Sequence, residues 1–178
     1  SSSLPADITI GIGVQDADLC VGADAWRALL GSHAAGARGE DESPLGAYLA
    51  ATNTAAEVFK RLLRRNFGWH EAAFVQDLAV SLFDYTINGT ATAGPDVAEI
   101  ALDGLAVAGA GAGGTAALYA LASFRRVSGE VVVVEPGLLK ESNLGRYLMT
   151  DYEQAHSRVH KLDSVCRFFS RHAGSVNV

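Results

Sequence analysis

Apolar and polar positions divide the chain into short strand-like runs, separated by turns, and a few stretches of helical period. Ile8-Thr9-Ile10-Gly11-Ile12-Gly13-Val14 alternates β-branched with small residues and predicts a strand. Gln15 to Asp18 is a polar turn, and Leu19-Cys20-Val21 predicts a second short strand returning as a hairpin partner. Residues 31–42 mix Gly, Ala and charge and predict a mobile loop. Ser43-Pro44 is a helix start, with Ser as N-cap and Pro at the first helical position. The helix should run to about Arg65. Leu45, Leu49, Ala56, Phe59, Leu62 and Leu63 form its apolar face, with Glu57, Lys60 and Arg64 opposite. Val80 to Ile87 predicts another strand, closed by the Asn88-Gly89 turn. Ala93-Gly94-Pro95 then breaks the chain, which sets a divergent α+β segment over residues 1–95 and a second domain over 96–178.

After the break the pattern changes. Leu105 to Ala108 predicts a short buried strand, Thr115 to Phe124 a helix rich in Ala and Leu, and Val131 to Val134 a strand apolar on both faces. Together they make one βαβ unit with a right-handed crossover. A long amphipathic helix is predicted from about Gln154 to His172, with Val159, Leu162, Val165, Cys166 and Phe169 on its apolar side. Residues 175–178 look like the opening of a third strand. The expected fold class is α/β: a Rossmann-like, mostly parallel sheet with flanking helices, preceded by the small α+β segment and incomplete at its C-terminus.

Half of the 178 residues are hydrophobic (49%) and only 19% are charged, a composition that supports a packed core. The net charge of −6 argues against a nucleic-acid surface, which needs clustered cations. The one basic cluster, Lys60, Arg61, Arg64 and Arg65, has helical spacing and reads as a solvated helix face. Cys20 and Cys166 form no C-x-x-C pair and read as small buried hydrophobes in a reducing cytoplasm. His156 and His160 stand at i, i+4 without an evident third ligand, so no protein metal site is expected. No apolar run approaches the ~20 residues that span a bilayer, so no membrane association is expected.

The chemistry concentrates in Gly109-Ala110-Gly111-Ala112-Gly113-Gly114, a G-x-G-x-x-G run between a strand and a helix. Gly109 permits a tight turn, Gly111 lets backbone approach a phosphate, and Gly114 lets helix pack close to strand. The helix N-terminus offers free N–H groups and a positive dipole end to phosphates. Glu135 closes the next strand, where an acidic side chain accepts hydrogen bonds from ribose hydroxyls. The earlier Gly11-Ile12-Gly13 lacks a third Gly and a following helix and is read as structural.

Ser142-Asn143-Leu144-Gly145-Arg146 follows at a short distance. From Leu105 to Arg146 the chain resembles the ThiF/MoeB/HesA ubiquitin-activating-enzyme-like family in its strand, G-x-G-x-x-G helix, acidic strand end and S-N-L-x-R turn, in that order. Lys161 resembles the lysine that opens that family's next helix. The resemblance implies that Gly109, Gly111, Gly114, Glu135 and Asn143 bind ATP. It also implies that Arg146 and Lys161 act on the triphosphate as catalytic cations. The implied reaction is adenylation of a carboxylate, the C-terminus of a peptide or of a ubiquitin-like or carrier protein, with Mg2+ as companion ion. A homodimer, or a complementing C-terminal half, is implied as well, and with it an arginine from the N-terminal helix for which Arg61, Arg64 and Arg65 are candidates by type. The chain departs from the family at Gly137, where a second acid is usual, at Tyr147, where Gln is common, and ahead of Lys161, where a Gly is usual.

Two other functions fit the Gly-rich loop. One is an NAD(P)-dependent oxidoreductase, which would have no use for an Arg and Lys converging on one phosphate site. The other is a non-catalytic ThiF-like module that binds a partner or senses a nucleotide.

Overall fold

A computed structural model describes residues 8–38, 41–67 and 74–178. The chain divides into two compact units, Ser1–Val97 and Ala98–Val178. It is an α/β protein, with a small mixed sheet in the first unit and a parallel, open sheet in the second. Among the described residues no helix is long and apolar enough to cross a membrane.

In the first unit β1 (Ile10–Ile12), β2 (Leu19–Asp24), β3 (Arg27–Leu30) and β4 (Leu78–Ser81) pair in that order. The expected β1–β2 hairpin is not formed: the two strands are parallel, with Ile10 opposite Leu19. The cause is a polar clamp at their starts. Asp18 Oδ2 accepts from Thr9 N at 2.8 Å and from Thr9 Oγ1 at 2.6 Å, and the Asp18 N–H donates back to Thr9 Oγ1 at 3.1 Å. Tying start to start dictates a parallel pair. The segment after β3 is a packed turn as far as Arg38. Ala34 is fully buried, Ala37 O accepts from Ala23 N at 3.2 Å, and Arg38 bridges to Ala23. Residues 39 and 40, within the expected loop, lie outside the described residues.

Helix α1 (Leu45–Phe67) packs on β2 and β3. Its buried face is rotated from the one the apolar pattern indicates. Ala50, Thr54 and Glu57 are buried, while Phe59 and Leu62 are exposed. Glu57 tolerates burial because its carboxylate accepts from Val75 N at 3.1 Å and pairs with Lys60. The basic cluster is not a uniformly solvated face: half-buried Arg61 donates from Nη1 to Asp18 O at 2.9 Å, and Arg64 lies over the Phe74 ring at 5.8 Å. The Arg65 side chain lies outside the described residues. Ser43 does not cap the helix. It is buried, its hydroxyl has no partner among the described residues, and its N–H donates to Asp96 Oδ1 at 3.0 Å.

Strand β4 ends at Ser81 rather than running to Ile87. Asp84 redirects the chain: its carboxylate accepts from Thr86 N at 3.1 Å, from the Thr86 hydroxyl, and from Thr92 Oγ1 at 2.8 Å. The Thr86 hydroxyl above all, and then that of Thr92, hold the Asp84 carboxyl far below the usual carboxylate range. A lowered folded-state pKa gives stability that is complete above the ordinary Asp value, about 3.9, and is lost as pH falls through the folded value. Asp84→Asn is therefore expected to destabilise the chain near neutral pH, with the deficit closing toward about pH 2. Urea midpoints of both proteins across that range measure the gap, and a gap independent of pH would contradict the assignment.

In the second unit β5 (Glu99–Ala101), β6 (Leu105–Ala108) and β8 (Val176–Asn177) all pair parallel with β7 (Arg126–Val134). Only residues 102–104 separate β5 from β6, too few for a crossover, so the two pair with successive segments of β7. The βαβ unit is completed by α2 (Ala112–Ala122), which starts earlier than its apolar run indicates because the glycines form its first turn. Val178 follows the short third strand, as expected.

Two expectations fail here. The sheet is not buried on both faces. Leu118, Val131, Val165, Phe169 and Val176 form one core on a single side, while Ala106, Ala108, Val132 and Val134 are exposed. The long C-terminal helix is broken into α3 (Tyr152–His156) and α4 (Lys161–His172). Arg158 turns to φ +54, and the freed segment pairs with residues 137–139 through Leu139 N to Val159 O at 2.8 Å and Lys161 N to Gly137 O at 3.0 Å.

Candidate nucleotide site

The Gly-rich loop has the shape its spacing demands. Gly109 turns the chain at φ +96, and its N–H donates to Val134 O at 2.8 Å. A Cβ on Gly114 would lie 2.0 Å from Gly109 O, so only glycine permits this contact between helix start and loop. Gly111 is the N-cap of α2 and has no side chain to fill that role; its carbonyl accepts from Thr115 N at 2.9 Å and Thr115 Oγ1 at 2.8 Å. The first-turn N–H groups of a helix have no intrahelical acceptors, so α2 presents donors at its start.

Glu135 stands directly after β7 and reaches back to this loop. Its Oε2 accepts from Ala110 N at 2.9 Å, and its Oε1 from Gly137 N at 2.7 Å. Lys161 Nζ lies 3.7 Å from the same Oε1, with the Lys161 and Glu135 side chains 18% and 10% exposed. The break before α4 places this amine, because the Lys161 N–H is held by Gly137 O. A Cβ at position 137 would come within 2.5 Å of Glu135 Oε1 and 3.0 Å of Lys161 Nζ. The bare backbone of Gly137 therefore makes room for the ion pair.

Tyr147 completes the cluster. It is buried, its ring centroid is 5.4 Å from Lys161 Nζ, and its hydroxyl lies 3.9 Å from where a Cβ on Gly111 would sit. The hydrogen bond to Tyr147, more than the Glu135 charge, holds the Lys161 ammonium above the ordinary lysine range, against the opposing effect of burial. Tyr147→Phe is thus expected to move the Lys161 titration down toward the ordinary value, read from its 13Cε shift. An unmoved titration would leave Glu135 as the only influence.

Asn143 and Arg146 belong to the turn that delivers Tyr147. Buried Asn143 uses Oδ1 to accept from Lys140 N at 3.0 Å, and its carbonyl accepts from Arg146 N at 2.9 Å and Tyr147 N at 3.1 Å. Its side-chain oxygen is thus engaged with its own turn. Arg146 is exposed, and its guanidinium has no partner among the described residues.

Glu135, Lys161 and the Gly109–Gly114 loop are therefore brought together directly, with Asn143 acting through the turn. Tyr147 and the Ala110 and Gly137 amides belong to the cluster although no motif in the sequence marks them as site residues. Among the described residues no group of three His, Cys, Asp or Glu side chains could hold a metal ion. No family model and no curated protein matches the chain.

Proposed function

We propose that the second unit binds ATP at the Gly109–Gly114 loop and serves as the nucleotide-binding part of an enzyme that adenylates a carboxylate. The observation that carries this reading is the junction of Glu135 with both Ala110 N of the loop and the Lys161 ammonium. It supports the reading because a fixed cation stands within reach of the loop proposed to receive phosphates, with Arg146, exposed and unpaired among the described residues, nearby in sequence. In the proposed complex the α2 N-terminus and loop amides receive the phosphates. Glu135 takes a ribose hydroxyl on a lone pair left over from its two amide bonds. A substrate carboxylate oxygen then attacks the α-phosphorus, the bond to the bridging oxygen breaks, and pyrophosphate leaves with that electron pair. No proton need move. Lys161 as a point cation and Arg146 as a planar fork offset the charge that develops on the phosphates. Bound with ATP, magnesium would supply further positive charge to the phosphates; among the described residues no group of three His, Cys, Asp or Glu side chains would hold it. The carboxylate is that of a peptide or a ubiquitin-like or carrier protein, and the working enzyme is a homodimer.

Pyrophosphate–ATP exchange in the presence of carboxylate peptides tests the chemistry, with parallel binding of MgATP and NAD. The expected result is ATP binding in preference to NAD and peptide-dependent exchange. Preference for NAD, indifferent to Arg146, would replace this reading with a dehydrogenase. ATP binding without exchange under any peptide would leave a nucleotide-sensing or partner-binding module.

A further inference from the structure

A cavity of about 580 Å3 opens beside the last turns of α2 and α4 and the segment leading into α3, all within the second unit. Its volume falls in the range of small-molecule sites. It is not the nucleotide loop: that loop sits at the other end of α2, about 16 Å away for 11 residues at 1.5 Å each.

Two independent features of its wall point to a ligand. Gln154 is only 6% exposed. One end of its amide meets the hydroxyls of Ser164 at 2.9 Å and Thr150 at 3.1 Å, and the other end has no partner among the described residues. That free end is not sealed from solvent, so a ligand in the cavity can take its hydrogen bond in place of water. At the cavity mouth stand Arg167 and Arg171, i and i+4 on α4, both exposed and without an ion pair among the described residues. Cations in the last turn of a helix suit its dipole, but the dipole requires neither the cavity nor the half-used Gln154 amide. Between the arginines Phe168 packs 5.3 Å from Tyr119 and 4.5 Å from His172, ring centre to ring centre, and gives the cavity an aromatic side.

We propose that this cavity binds a small organic anion, a phosphate or carboxylate on a flat apolar body. Arg167 and Arg171 grip the anionic head from one side of α4, as guanidinium groups do with either oxyanion. The body rests on the Phe168–Tyr119 side, and the free end of the Gln154 amide meets a polar atom of the ligand. The site is separate from the nucleotide loop and stands whether or not that loop binds ATP.

Amide NMR titrations of the whole chain with phenyl phosphate, benzoate and inorganic phosphate test it. The expected result is saturable binding of phenyl phosphate, benzoate or both. Shifts should centre on Thr150, Gln154 and Arg171, and affinity should fall at least tenfold in an Arg167→Gln/Arg171→Gln double variant and stay unchanged in Arg146→Ala. Both arginines are exposed, so the double variant should fold normally. Three results would each overturn the proposal: no saturation by either organic anion below about 10 mM, shifts centred on residues 109–114, or affinity indifferent to the double variant. Inorganic phosphate binding as tightly as phenyl phosphate would remove the aromatic side from the site. Preference for phenyl phosphate over benzoate, or the reverse, names the head group.

Discussion

Alanine at position 114 should destabilise the second unit by about 1–3 kcal/mol, the usual cost of overpacking, and abolish nucleotide binding. The new Cβ would stand 2.0 Å from Gly109 O, which is backbone and cannot rotate away. Gly109 is itself fixed, by its φ of +96 and by its N–H bond to Val134 O. Relief requires the start of α2 to move off the loop, and the amides proposed to receive phosphates would move with it. Gly113→Ala is the matched control. Its Cβ meets open space, and a helix gains up to about 1 kcal/mol when Ala replaces Gly. Urea unfolding with hydrogen exchange on α2, alongside MgATP titration, separates the two. A Gly114→Ala protein as stable and as competent as wild type would contradict the close contact.

Arg146→Ala should leave stability within about 0.5 kcal/mol of wild type, because an exposed side chain without partners holds nothing together. The same change should weaken MgATP binding about 10- to 100-fold, the worth of ~1.5–3 kcal/mol for hydrogen bonds to a charged group. AMP, which lacks the outer phosphates, should lose less. Lysine at this position should restore only part of the affinity, since it offers a point charge without the fork. Calorimetry with both nucleotides measures the split. Equal losses for ATP and AMP would move Arg146 away from the outer phosphates.

The second unit was the more legible half of the sequence, because its signals are local. The glycines of 109–114 specify a turn and a close contact between near neighbours, and the strand before and helix after them follow from short apolar runs. What escaped was set by partners distant in sequence. The Thr9–Asp18 clamp makes β1 and β2 parallel where a polar turn suggests a hairpin. Glu57 is buried because Val75 N and Lys60 meet it, and no periodicity contains that information. The break between α3 and α4 arises because residues 157–160 pair with 137–139, which an unbroken amphipathic pattern conceals. Val131 to Val134 shows the limit of composition: four valines read as buried on both sides, yet Val132 and Val134 are exposed. At the site, Glu135 and Lys161 were visible as single residues, but their meeting depends on that hidden break and on the bare backbone of Gly137. The place of Tyr147 between loop and lysine has no sequence signature beyond its departure from a motif.

The proposed function requires a nucleotide on the Gly-rich loop beside the Glu135–Lys161 pair. Backbone amides of the whole chain followed during a MgATP titration report on that directly. Saturable shifts are expected at Ala110, Gly111, Ala112 and Gly137, with Lys161 13Cε moving in step. Saturable shifts confined to other residues, or a loop unmoved by ATP, would contradict it.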